Sequence, residues 1–212
     1  MRRQLDWPDR LLSAIDQALR AVAAEPNAAV PSPADSVPPA TLSPEEERRS
    51  AALLRVNHAG ELAAQALYSG QSLCARSAAT REHLLAAAAE ERDHLAWCAE
   101  RLRELGGRPS LLAPLWYGGS FLVGVIAGAR GDRASLGFVA ETERQVEAHL
   151  RDHLARLPSA DAKSAAILSR MAHDERHHGT TAKLAGGVEP PAPVRFAMAC
   201  GGELLRRTAL HL

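Results

Sequence analysis

The 212 residues carry 25 basic and 25 acidic side chains, so the formal charge is zero with histidines neutral. Apolar residues make up 46% of the chain, aromatic residues only 4%, and 42 are alanine. The length suits one substantial core, the alanine bias favours close-packed helices over sheets, and the balanced charge argues against a nucleic-acid partner, which calls for a basic excess.

Cys74, Cys98 and Cys200 form no C-x-x-C pair. A disulfide scaffold, a zinc finger and an iron–sulfur site are therefore not expected, and a reducing compartment is. Residues 1–16 are charged throughout and lack the apolar core of a signal segment.

In chain order, residues 9–24 predict a short amphipathic helix, with Leu11, Leu12, Ile15, Leu19 and Val22 roughly on one side. It has three candidate surfaces to meet: the main domain, another protein or a membrane. Residues 25–44 hold six prolines and predict an extended strap. A domain of residues 43–212 follows this helix-and-strap extension of residues 1–42. Ser43-Pro44-Glu45-Glu46 is a capping box with proline in the first turn, and predicts a helix to about Ser72. A second helix runs from about Ala79 to Leu105 and stops at Gly106-Gly107. A third begins within 110–117 and runs towards Leu157, with a kink or break at 128–131. A fourth starts at Pro158-Ser159 and ends at Gly186-Gly187, and a shorter one occupies 194–208. No alternating strand pattern is present. The expectation is an all-α, four-helix bundle with additional terminal helices.

Within the third helix, residues 109–129 carry no charge. The run is long enough to suggest a membrane span, but Pro114 and four glycines interrupt it. A buried helix and a contact lying on the membrane surface are the main readings, with Trp116 and Tyr117 as interface-type residues.

The chemistry-bearing pattern is a repeat of acids and histidines. The second helix holds Glu91 and His94, the fourth Glu175 and His178. Residues three apart share a helix face. Glu61 in the first helix lies 30 residues before Glu91, and Glu143 in the third lies 32 before Glu175. Each half of the bundle thus offers one Glu and then one E-x-x-H. Four carboxylates and two imidazoles, one ligand element per helix, are the donor set of a di-iron or di-manganese bundle. Four carboxylates balance two divalent ions, and one imidazole per ion leaves room for O₂. Without metal, four buried carboxylates are very costly. Zinc suits the set less well, since its sites use fewer carboxylates. His58 and His149 are candidates to support the ligands from behind. Tyr68 is a candidate for the cavity wall or for ordinary core, and Glu90, Asp93, Glu141, Glu147, Asp174 and His177 are candidates for the surface or for supporting roles.

These segments, Leu54-Arg-Val-Asn-His-Ala-Gly-Glu61, Glu90-Glu-Arg-Asp-His-Leu-Ala-Trp97, Glu141-Thr-Glu-Arg-Gln-Val-Glu-Ala-His149 and Asp174-Glu-Arg-His-His178, with the closing Leu184-Ala-Gly-Gly187, resemble the demethoxyubiquinone hydroxylase family, the Coq7-type di-iron proteins. The resemblance spans about residues 42–212. It implies a ferritin-like fold with two iron ions held by Glu61, Glu91, His94, Glu143, Glu175 and His178, and Glu91 with Glu175 is the natural bridging pair. It also implies a monooxygenase that places one atom of O₂ on the ring of a polyprenylated demethoxyubiquinol and releases the other as water. No dinucleotide fingerprint is present, so the electrons are expected from an external donor or through the quinol itself. A polyprenyl substrate implies peripheral attachment to the inner membrane on its cytoplasmic side, with residues 110–129 at the surface. Small residues in that stretch also suit a homodimer. Other readings are a tRNA hydroxylase, a di-iron oxidase, an iron-storage protein and a metal-free bundle.

Overall fold

The computed structural model describes residues 7–23 and 26–211. Among them are seven α-helices and no strand: α1 (Trp7–Ala23), α2 (Pro44–Cys74), α3 (Ala78–Glu104), α4 (Ala113–Ala129), α5 (Asp132–Arg156), α6 (Ala162–Leu184) and α7 (Ala192–His211), with a 3-10 turn at Pro33–Ser36. Helices α2, α3, α5 and α6 form the bundle. α2 packs along α3 and α5 along α6, while α4 lies on the outside of α2. The expected all-α bundle with terminal helices is the observed one.

The helix starts are locally encoded. Ser43 Oγ accepts from Glu46 N at 3.3 Å, and Ser43 N donates to Glu46 Oε2 at 2.8 Å, closing the expected capping box. Ser77 caps α3 by accepting from Thr80 N at 3.0 Å. The break expected at 128–131 divides 110–157 into two helices, because Gly131 adopts φ 103°, a conformation that ends α4 and redirects the chain. Asp132 then fastens this corner to the α2–α3 corner, accepting from Arg76 N and Ser77 N, each at 2.9 Å. The fourth bundle helix begins at Ala162 rather than at Pro158-Ser159. Asp161 caps it, accepting from Ser164 N at 3.0 Å, and its carboxylate also takes a 2.7 Å ion pair from Arg101 of α3. The last helix is longer than expected, from Ala192 to His211.

Two apolar layers fill the bundle. One joins Leu54, Trp97, Leu102, Leu150, Ile167, Leu168 and Met171; the other joins Leu67, Tyr68, Leu84, Val139 and Ala182. Along each of the four helices, the expected metal ligands fall between the residues of these two layers.

The α2–α4 crossing depends on glycine. A Cβ on Gly124 would lie 2.1 Å from Leu67 O, and one on Gly70 would lie 2.3 Å from Phe121 O. Only backbones without side chains fit there. Trp116 and Tyr117 of α4 turn inward instead of towards solvent. Tyr117 packs with Leu62, Ala66 and Leu95, and Trp116 is partly buried against Val56, Ala59 and Leu205. α1 docks through its alanines: Ala14 is buried, and Ala18 and Ala21 pack beside Leu62 and Tyr117. Its Leu12, Ile15 and Leu19 point away; the side chains of Leu11 and Val22 lie outside the described residues.

Gly124→Ala is expected to lower the unfolding free energy by about 1–3 kcal/mol through overpacking. Urea unfolding against Gly118→Ala, where a Cβ meets nothing within 4 Å, checks this.

Candidate metal centre

The helices place the E-x-x-H elements of α3 and α6 opposite each other, with Glu61 from α2 and Glu143 from α5 beside them. All six side chains are buried, from 0% exposure at Glu91 to 5% at His178. Their donor atoms fall into two quartets, Glu61–Glu91–His94–Glu175 and Glu91–Glu143–Glu175–His178, each within 4.8 Å. Glu91 and Glu175 belong to both quartets.

The quartets are related by a crossed pairing. His94 Nδ1 faces Glu91 Oε2 at 3.2 Å, Glu175 Oε1 at 3.3 Å and Glu61 Oε2 at 3.6 Å. His178 Nδ1 faces Glu175 Oε2 at 3.4 Å, Glu91 Oε1 at 3.6 Å and Glu143 Oε1 at 3.8 Å. The outer nitrogens go the other way. His94 Nε2 meets Asp174 Oδ2 of α6 at 3.3 Å, and His178 Nε2 meets Glu90 Oε2 of α3 at 2.8 Å. Each histidine is thus oriented by the acid immediately before the glutamate of the opposite element. The sequence carried this signal as a doubled pattern, acid-Glu-Arg-x-His, in residues 90–94 and 174–178. Of the surface and supporting roles the sequence offers Glu90 and Asp174, the crossed contact gives both the supporting one.

The electrostatics is that of a charged cluster in a dry interior. Burial, then the neighbouring Glu175 charge, push Glu91 and Glu143 well above the usual carboxylate range. Glu175 suffers the same burial, but the imidazoles of His178 and His94 beside it hold it below that range. Burial opposes charge on the two imidazoles as well. It is overcome by the surrounding carboxylates of Asp174, Glu175, Glu61 and Glu91 at His94, which rises well above its ordinary value. At His178 the hydrogen bond to Glu175 and the Glu143 charge bring the value up to about 10. Tyr68 is fully buried and its hydroxyl donates to Glu143 Oε1, which places it on the wall of the centre.

The residues fit a pair of divalent cations. One Nδ1 facing three carboxylates has more acceptors than a single N–H can serve. Glu91 Oε1, Glu143 Oε2 and Glu175 Oε1 are buried and make no hydrogen bond. Buried carboxylate oxygens of this kind are costly unless a cation takes them. Oxygen-rich quartets with one imidazole each suit iron or manganese.

The two other histidine candidates stand elsewhere. His58 is buried on α2, and burial lowers its pKa to about 4. His149 lies in a cavity of about 480 Å³ between α5 and α7, its ring 3.8 Å from that of His153. His153 in turn bonds Asn57 Oδ1 at 2.8 Å. Neither His58 nor His149 belongs to a ligand quartet.

The family model for ubiquinone biosynthesis protein COQ7 matches residues 48–204. The chain belongs to the COQ7 family. It is 53% identical over 206 residues to 3-demethoxyubiquinol 3-hydroxylase of Cupriavidus metallidurans, covering 96% of this chain and all of that one. The corresponding protein of Nitrosomonas europaea is also 53% identical, over 95% of this chain and 97% of that one. Among solved structures, a dodecameric thioferritin, the bacterioferritin-related protein of Bacteroides fragilis, superposes with a TM-score of 0.55. Its 19% identity over 65% of this chain and 83% of that one shows the fold alone, which is ferritin-like. COQ7 membership also sets aside the RNA-modifying, storage and metal-free readings.

The two outer-nitrogen partners differ in exposure: the Asp174 side chain is 12% exposed and that of Glu90 is 56%. Asp174 is further fixed by Arg170 Nε, at 3.0 and 2.7 Å. Asp174→Ala is therefore expected to weaken iron binding by about 10–100-fold, and Glu90→Ala by much less because water replaces it. Equilibrium iron titration against a competing chelator measures both.

Proposed function

We propose that Glu61, Glu91, His94, Glu143, Glu175 and His178 hold the two irons of a 3-demethoxyubiquinol 3-hydroxylase, with Glu91 and Glu175 shared between the two ions. The observation that carries this reading is the pair of interlocked buried quartets, in a chain more than half identical to hydroxylases of that name along nearly its whole length. The enzyme is an O₂-dependent di-iron monooxygenase, and its substrate is a quinol or quinone. Bound iron supplies the redox chemistry with O₂ that none of the six side chains possesses; one oxygen atom goes to the ring and the other to water.

The chain's own residues supply order and dryness. Asp174 and Glu90 hold the imidazoles with Nδ1 turned inward. The Tyr68 hydroxyl fixes Glu143. Leu54, Leu62 and Met171, each no more than 1% exposed, keep the interior apolar and exclude water. In this reading residues 43–212 form the catalytic domain, and the two electrons come from an external donor.

The substrate's polyprenyl tail favours a protein that meets the lipid, since each methylene unit moved into water costs about 0.8 kcal/mol. Two features support such a surface. Leu115, Leu122 and Ile126 of α4 are 64%, 62% and 63% exposed, in a stretch without charge. α1 turns Leu12, Ile15 and Leu19 outward beside it. Large exposed apolar patches mark interaction sites, and no helix among the described residues is long and apolar enough to cross a membrane. Peripheral seating on the cytoplasmic side of the inner membrane follows in this proposal. Between α4 and the metal centre, Tyr117 and Phe121 pack on Leu62, Ala66 and Leu95, neighbours of Glu61 and His94. This apolar seam is the proposed approach of the ring.

Supplying a short-tailed demethoxyquinol, iron, reductant and O₂ should yield the hydroxylated ring, identified by mass spectrometry. Glu175→Ala and His178→Ala should bind less iron and form no product; normal turnover by either rejects the ligand assignment. Leu115, Leu122 and Ile126 changed together to serine should abolish flotation with liposomes while sparing turnover of the short-tailed substrate. Undiminished flotation rejects α4 as the contact.

A further inference from the structure

We infer that the proline-rich segment of residues 26–42 is a positioning element of the metal centre: it ties the two E-x-x-H helices together beside His94 and holds that ligand in place. The inference rests on the reading of His94 as an iron ligand.

The segment meets α3 on both sides of His94. Ala29 N donates to Asp93 Oδ1 at 2.6 Å, one residue before the histidine. Trp97 Nε1, three residues after it, donates to Val30 O at 3.0 Å. The Trp97 ring packs on the His94 ring, with centroids 5.3 Å apart and planes tilted by 47°. Two successive residues of the strap therefore grip the two neighbours of one ligand, and one of those neighbours touches the ligand itself. A hydrogen bond at the indole nitrogen fixes the ring that limits how far the imidazole can swing.

The same segment reaches α6. Its 3-10 turn packs against that helix, and Ala34, 6% exposed, enters the core layer of Trp97, Leu102, Ile167 and Leu168. Asp174 of α6 orients His94 from the other side. The histidine is thus placed between an α6 carboxylate and an α3 tryptophan, and the strap spans both helices. It is also stiff by construction. Ser32 Oγ accepts from Ala34 N at 3.2 Å, and Ser32 N donates to Asp35 Oδ2 at 3.1 Å. Pro31, Pro33, Pro38 and Pro39 restrict φ along its length. Among the described contacts, no comparable segment reaches the neighbours of His178, whose outer partner Glu90 is largely exposed. Inserting the strap into the α3–α6 side therefore acts on one quartet, that of His94.

The test uses the full-length, iron-loaded protein. Trp97→Phe keeps a ring on His94 but cannot hold Val30 O. Ala34→Asp drives the turn from the core by burying a charge. Iron release to a chelator is followed in time, alongside amide hydrogen exchange of residues 29–37. One of the two iron equivalents should leave about tenfold faster in both variants, the size expected for losing a ligand's outer support, and the other should keep its wild-type rate. Release of both irons at wild-type rates from Ala34→Asp protein overturns the inference. Equal acceleration of both overturns it too, since general loosening of the bundle has no preference between the quartets. His94→Ala separates the underlying reading: two irons bound with wild-type release in that variant reject His94 as a ligand, whatever the strap variants do.

Discussion

Everything in this molecule is arranged around four carboxylates that a helical bundle takes out of water. An isolated buried carboxylate is so costly that it either protonates or finds a cation. Two imidazoles cannot neutralise four such groups, and two divalent ions can. The bundle answers this by giving each of four helices one ligand element at mid-length, so that apolar layers close the cluster above and below. The crossed contacts then follow: each imidazole needs its outer nitrogen held, and the nearest spare acid belongs to the helix opposite.

The clustering of these six residues was readable because helical periodicity turns E-x-x-H into a local geometric statement, and because the pattern occurs twice with a preceding Glu at nearly equal distance. The supporting acids were harder to place. Glu90 and Asp174 sit next to a ligand in sequence, so in their own helix they point about 100° away from it and read as surface. Their role exists only once the opposite helix is in place. His149 shows the converse. Six residues from Glu143 on the same helix, it belongs to the seam between α5 and α7, and no spacing along α5 reveals that α7 covers that side.

Orientation of apolar helices was the other unreadable quantity. In α4 nearly every residue is apolar, so periodicity does not separate an inner from an outer face. Trp116 and Tyr117 turn inward while Leu115, Leu122 and Ile126 face out. In α1 the amphipathic pattern was plain, yet small residues made the contact. Alanines let α1 approach α2 and α4 closely, and the leucine side was left over. A sequence shows that two faces differ, but the partner decides which of them is buried.

The glycine crossing of α2 and α4 has a mechanical consequence. With backbones touching at Gly70 and Gly124, no side chain separates the outer apolar helix, at that crossing, from the helix that carries Glu61 and Tyr68. A shift of one helix at this crossing meets the backbone of the other. In the proposed seating of α4 on lipid, this close crossing sets the distance from the acyl chains to Glu61. In that proposed seating, the crossing bears on where the ring of the substrate must reach and not on its tail.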